Sequence, residues 1–215
     1  LSSLRDLIVS GYFSVVTKLH ITRINIVNQT SLFIGKLVRL AAILPEDNAT
    51  FAKWSQNDTY LRLLDDDPAR PLSPEGFASF EGSYINAPNL FGFRLRTLAE
   101  DKLIGFIVLG DIKWPNQTAL LGMGIGDPDC WGKGYGSDAL QLILAYAFRE
   151  LNLYRVGLTV ISYNTRAIRA YEKAGFVREG VQRGMIHRDG ERHDLLVYGI
   201  LCHEWAAANP GITVT

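Results

Sequence analysis

Trp131-Gly132-Lys133-Gly134-Tyr135-Gly136-Ser137 is the stretch on which the reading of this chain turns. The run before it, Ala119 to Gly126, is rich in strand-forming residues. The run after it, Asp138 to about Leu151, spaces its apolar residues at helical intervals. Three glycines at alternate positions let a backbone turn tightly and bring its N–H groups close to a ligand. A helix start just behind them adds unpaired N–H donors and the positive end of the helix dipole. A strand, a glycine-rich turn and a helix start together make a device for holding phosphate.

The spacing narrows the choice of family. It is not the GxxxxGK[ST] of a triphosphate loop, nor the GxGxxG of a dinucleotide fold. Gly132-Lys133-Gly134-Tyr135-Gly136 resembles the end of the Q/R-x-x-G-x-G/A signature of the GNAT acyl-CoA N-acetyltransferases. A second segment stands further on: Asn164-Thr-Arg-Ala-Ile-Arg-Ala-Tyr171-Glu-Lys-Ala-Gly175-Phe176. It resembles the second acetyl-CoA-binding segment of the same superfamily. The resemblance runs from about Lys36 to Trp205. It is nearest to the branch holding ribosomal-protein N-terminal acetyltransferases and spermidine acetyltransferases. Trp131 stands where the superfamily has Gln or Arg, a replacement that this branch often carries.

The resemblance implies a fold, a co-substrate and a set of roles. The fold is a single mixed α/β (α+β) domain, a mostly antiparallel sheet flanked by helices. Acetyl-CoA is the co-substrate, and its acetyl group passes to a primary amine by direct attack in a ternary complex. The pyrophosphate is expected on the backbone of Trp131, Gly132, Lys133, Gly134, Tyr135, Gly136 and Ser137, with Lys133 adding charge or remaining a solvated lysine. The pantetheine arm is expected along Gly124, Ile125 and Gly126, beside a bulge, with one donor there polarising the thioester carbonyl. Tyr171 matches the family tyrosine that protonates the leaving thiolate. A phenol suits that task, since its ordinary pKa of about 10 keeps it protonated at neutral pH. Asn164 either bonds the pantetheine or caps the following helix.

The general base is less defined. Leu121 falls where spermidine acetyltransferases carry a strand Glu, so this strand offers no carboxylate. Asp111 on the preceding strand is the substitute candidate, and a water chain is the other. Asp65, Asp66 and Asp67 lie where the fold builds its acceptor pocket and either attract a cationic amine or form a solvated loop. The acceptor is read first as a protein N-terminal amine. A polyamine or small-molecule amine, antibiotics included, comes second. An acyl-CoA sensor or interaction module without turnover is the alternative from another class.

Composition limits the remaining classes. Lysines plus arginines and aspartates plus glutamates balance at 22 each, so no basic excess points to nucleic acid. Cys130 and Cys202 are too few for a disulfide scaffold and read as free thiols of a cytoplasmic protein. His187 and His193 lack Cys or carboxylate companions at ligand spacing, so no metal site is expected. Charged residues interrupt every apolar run of residues 1–34, and none approaches the ~18–20 apolar residues of a membrane span. That segment reads as an N-terminal extension, or as an amphipathic segment for dimer contact or a membrane surface. Residues 35–206 read as the catalytic domain and 207–215 as a tail. A homodimer is expected by analogy alone.

Periodicity and turn residues place the elements. Strands are expected over Leu37–Leu44, Leu90–Leu98, Leu103–Ile112, Ala119–Gly126, Arg155–Ile161, Phe176–Val181 and His193–Leu201. Helices are expected from Pro45 to about Asn57, Ser73 to Ile85, Asp138 to about Leu151 and Thr165 to Ala174. Leu61 to Pro68 reads as an acidic loop, and Arg188-Asp-Gly-Glu191 as the turn joining the last two strands.

Overall fold

The computed structural model describes residues 31–82 and 87–210. The N-terminal extension through residue 30 and the extreme C-terminal tail lie outside the described residues. The elements run β1 (Val38–Ala41), α1 (Asp47–Trp54), α2 (Asp58–Leu64), α3 (Pro74–Gly82), β2 (Phe91–Thr97), β3 (Leu103–Lys113) and β4 (Thr118–Ile125). They continue as α4 (Tyr135–Ala145), β5 (Arg155–Ile161), α5 (Thr165–Lys173), β6 (Val177–Arg188), β7 (Glu191–Leu201) and α6 (Cys202–Ala208).

The strands form one seven-stranded sheet in the order β1-β2-β3-β4-β5-β7-β6. Every pairing is antiparallel except β4 with β5. The helix between β4 and β5 is the crossover that a parallel pair requires. This is the mixed, mostly antiparallel sheet expected above.

The sheet buries both faces. On one face α4 lays Ala139, Leu140, Ile143 and Leu144 against Leu95, Ile107, Leu109 and Leu121. On the other face α1 to α3 bring Phe51, Trp54 and Tyr60 against Leu103 and Phe106. Asp138, in the first turn of α4, ties helix to sheet. Its carboxylate accepts the backbone N–H groups of Lys36, Leu37 and Val38 at 2.7–3.1 Å. Beneath α1 lies a buried ion network in which Asp47 meets Arg94 and Arg96, and Arg94 also meets Glu81. The guanidinium of Arg94 stands 4.2 Å from the Phe51 ring centre.

Several elements differ from expectation, each for a local reason. The acidic loop begins only at Asp65, because Leu61–Leu64 belong to α2. Asn57 starts that helix by accepting the Tyr60 N–H at 3.0 Å. Helix α4 starts at Tyr135 rather than Asp138, so the last residues of the glycine motif are its first turn. It continues as a π-helical turn over Tyr146–Glu150. Strand β6 runs on to Arg188; it is mostly exposed and is broken by register shifts, so apolar alternation does not mark it. Asp189 and Gly190, at φ 52 and 81, make the tight turn into β7. Helix α6 was not expected. Glu204 accepts the Leu201 N–H at 2.8 Å, and Trp205 is buried in the main core, so ordered chain passes residue 206.

Candidate active site

The site begins where two strands part. β4 and β5 are paired only from Thr118–Arg155 to Leu120–Gly157. Beyond that point β4 continues to Ile125 and β5 to Ile161 without a shared ladder. A cavity of about 340 Å³ fills the wedge. Met123, Gly124 and Ile125 form one side of it and Thr159 and Val160 the other, with the glycine motif and α5 closing it. Backbone groups that a partner strand would satisfy are thereby available to an extended ligand. The expected bulge beside Gly124 is absent: β3 and β4 pair in unbroken register from Gly105–Ile125 to Gly110–Leu120. Divergence of the neighbouring strand, not a bulge, frees this edge.

The glycine motif forms the mouth of the wedge. Gly132 and Gly134 take φ values of 73 and 88, a region that side chains make costly. A Cβ on Gly132 would meet nothing within 4 Å, so its backbone faces open space. Gly134 caps α4, and the N-terminal turn of that helix opens onto the cavity through Tyr135, Gly136 and Ser137. Lys133 is exposed and is not among the cavity-lining residues; nor is Gly126, whose missing side chain leaves room for the Trp54 indole.

Positive charge at the cavity comes largely from α5. Arg166, Arg169 and Lys173 stand three and four residues apart, so one helix face presents all three to the cavity. The sequence reading missed them, although that spacing was the available signal. Arg166 lies 3.9 Å from the Trp131 ring centre. Burial lowers its pKa from the ordinary guanidinium value. Among the described residues no carboxylate neutralises it. The indole N–H of Trp131 donates to the Ile125 carbonyl at 2.7 Å and closes the end of β4. A positive-φ cradle, a helix start and a basic helix face suit the pyrophosphate-bearing arm of acetyl-CoA.

Tyr171 and Asn164 also line this cavity. Tyr171 packs its ring 5.9 Å from that of Phe176, and burial pushes its phenol up to about 12. It is therefore protonated throughout the neutral range. Asn164 caps α5 by accepting the Ala167 N–H at 3.2 Å and donates to the Leu63 carbonyl at 3.0 Å. That leaves one amide hydrogen and one lone pair for a ligand. Cys130 lines the cavity too; its thiol is hydrogen-bonded to Asp127, and burial raises its pKa, which disfavours the thiolate.

A second cavity of about 410 Å³ lies between α1–α3 and the sheet. Its floor is bared by Gly92 on β2 and Gly122 on β4. Its walls include Ile43, Phe51, Leu61, Phe77 and Phe106, with Asp65 and Asp67 among the few acidic groups. The third acidic group, Glu81, is engaged by Arg94 at 2.7 Å. Tyr60, Leu64 and Met123 line both cavities, so the two share a wall at the middle of β4. Arg188, from the β6–β7 hairpin, steadies the acidic loop by donating to the carbonyls of Arg62, Asp65 and Asp67. Arg62 pairs with Asp189 at the tip of the same hairpin.

Asp111 requires correction. It is exposed, lies five residues along β3 from the partner of Gly124, and pairs with Lys113 at 2.6 Å. That places it roughly 17 Å along the strand from Gly124, at about 3.4 Å per residue. It lines neither cavity. Leu121 points into the core under α4 and so opens no alternative on β4. Among the described residues no cluster of His, Cys, Asp and Glu could hold a metal.

The family model described as an acetyltransferase (GNAT) domain matches residues 38–177. The chain belongs to the GNAT acetyltransferase family, enzymes that move the acetyl group of acetyl-CoA to an amine. Among its relatives is Bacillus subtilis YdaF, named as a ribosomal N-acetyltransferase; it is 28% identical over 78% of this chain and 86% of its own length. The spermidine N(1)-acetyltransferase of Vibrio cholerae is 35% identical over 38% of this chain and 47% of its own. A solved spermidine N-acetyltransferase from Vibrio cholerae, in complex with CoA and spermine, superposes with a TM-score of 0.71 at 23% identity. That match covers 78% of this chain and 97% of the other. No helix among the described residues is long and apolar enough to cross a membrane.

Proposed function

We propose that this enzyme acetylates the N-terminal amine of a protein or peptide. The observation that carries the reading is the character of the second cavity. It is mostly apolar, and the two of its carboxylates that have no ion pair among the described residues, Asp65 and Asp67, lie in one loop. An N-terminal residue brings one cation and a side chain to bury, which suits that lining. A polyamine brings several separated cations, and each desolvated one needs its own counter-charge.

In this reading the edge of β4 at Gly124 and Ile125 holds the pantetheine arm, and the Gly132–Ser137 backbone with Arg166 and Arg169 holds the phosphates. The amine attacks from the second cavity, across the shared wall. Tyr171 gives its proton to the departing sulfur and recovers one from solvent. Among the described residues no carboxylate lines the cavity at Gly124, so the protons of the amine leave through water. The buried Cys130 thiol is a poor acyl carrier, which favours direct attack in a ternary complex over a covalent relay. Both cysteines are free, as suits the reducing cytoplasm.

The test compares kcat/KM for short peptides with apolar, polar and acidic first residues against spermidine and spermine. Peptides with a free N-terminus are expected to be the better substrates, and N-terminally blocked peptides inert. A higher kcat/KM for spermidine would overturn the reading in favour of a polyamine acceptor. Binding of acetyl-CoA without transfer to any amine would favour the sensor alternative.

A further inference from the structure

Tyr60 is the buried group that the site has not yet used. Its side chain is 5% exposed, and among the described residues its hydroxyl has no hydrogen-bond partner. A buried hydroxyl left unpaired is costly, and native structures rarely keep one without a reason. The hydroxyl does not sit in a featureless core. It faces β4, where a Cβ built on Gly124 would stand 2.8 Å from it. Tyr60 also belongs to the wall that the two cavities share.

The helix that carries Tyr60 is held from several sides. Asn57 accepts the N–H of Tyr60 itself. Tyr163 donates to the Arg62 carbonyl at 2.6 Å, and Asn164 to the Leu63 carbonyl at 3.0 Å. Trp54 packs edge-on at 6.5 Å between ring centres. A short helix is thus fixed to the α5 side of the site, and its one buried hydroxyl is aimed at the strand expected to carry the thioester. Preorganisation of an unpaired donor is what stabilisation of developing negative charge requires.

We propose that the Tyr60 hydroxyl is a catalytic hydrogen-bond donor to the thioester carbonyl oxygen, acting from the face of β4 opposite α4. The proposal rests on the acetyl-transfer reading above. When the amine nitrogen bonds the carbonyl carbon, the C=O electron pair moves onto oxygen, and Tyr60 donates to that oxygen without giving up its proton. The pair then returns, the C–S bond breaks, and sulfur takes its proton from Tyr171. The nitrogen loses one proton to water. Burial raises the Tyr60 phenol well above its ordinary value, so it stays a donor and is not the missing base.

Tyr60→Phe removes the oxygen and keeps the ring. Three readouts are taken: kcat and KM with a peptide acceptor, melting temperature, and affinity for acetyl-CoA against free CoA by calorimetry. The expected result is a kcat lower by on the order of a hundredfold, the scale for one oxyanion donor. KM for the acceptor holds, CoA affinity is unchanged, and wild-type preference for acetyl-CoA over CoA shrinks. The melting temperature does not fall, because an unpaired buried hydroxyl has been removed. An unchanged kcat, or a lower melting temperature, would overturn the proposal, the latter by showing a structural bond. The affinity comparison needs no acceptor, so it still decides the role of Tyr60 if peptides are not the substrate.

Discussion

The indole nitrogen of Trp131 and the carbonyl of Ile125 are joined by a 2.7 Å hydrogen bond that closes the end of β4 where the wedge begins. The same indole supports Arg166 at 3.9 Å. One side chain therefore sets both the strand edge and a cation of the proposed phosphate site. Trp131→Phe should cost about 0.5–1.5 kcal/mol of stability, the net worth of one hydrogen bond, since this one is only partly buried. Acetyl-CoA affinity should fall as well. Denaturant unfolding and calorimetric titration measure the two effects separately.

The two positive-φ glycines of the motif should tolerate substitution in folding and resist it in binding. Gly132→Ala meets no neighbour and pays only for the left-handed backbone, about 1–2 kcal/mol. Gly134→Val adds β-branching at φ 88 and brings its Cβ within 3.4 Å of Leu37. Both variants should remain folded, and Gly134→Val should lose acetyl-CoA binding. Normal binding by that variant would mean that the loop is not the phosphate site.

Tyr171→Phe should keep acetyl-CoA affinity and lower kcat by on the order of ten- to a thousandfold, the range for losing a general acid. The sign of the pH effect follows from the raised phenol. In the proposed acid role its protonated form is the active one, and that form persists up to about 12, so Tyr171 should impose no alkaline loss of rate near neutrality. The same shift stabilises the fold below the unfolded value of about 10, and that contribution disappears as pH rises through the folded value. Unfolding free energy followed above about pH 9 should fall more steeply for wild type than for Tyr171→Phe.

The acidic loop should act on the acceptor alone. Asp65→Asn with Asp67→Asn should raise the acceptor KM several-fold and leave kcat and acetyl-CoA affinity unchanged. Because these carboxylates are exposed, the effect should shrink as salt is added. Steady-state kinetics across a salt series tests this.

The elements legible in the sequence were those with a local signature. Strand-forming residues with turn residues between them marked β2 to β4, and Gly175, at φ 101, ended α5 as a glycine C-cap should. The glycine motif and the Asn164–Phe176 segment fall on one cavity because a strand and a helix carry them to the same wedge. What escaped depends on long-range neighbours. Asp111 was plausible by sequence distance, yet strand direction carries it to the opposite end of the sheet. Tyr60 fell between the first expected helix and the acidic loop, in no assigned element, and only the approach of α2 to Gly124 gives its hydroxyl a meaning. Helix α6 has few turns and little amphipathic pattern, and it is specified by the docking of Trp205.

The parting of β4 from β5 also bears on solubility. Free strand edges invite other chains to add on, and proteins usually blunt them with charge or bulges. Here the free edge lies in the middle of the sheet, and the start of α4 and one face of α5 line the opening. A slender pantetheine arm can enter such a cleft, whereas a further strand with its side chains meets helices first. The fold can therefore keep backbone donors open for a small molecule without displaying them as a template for aggregation.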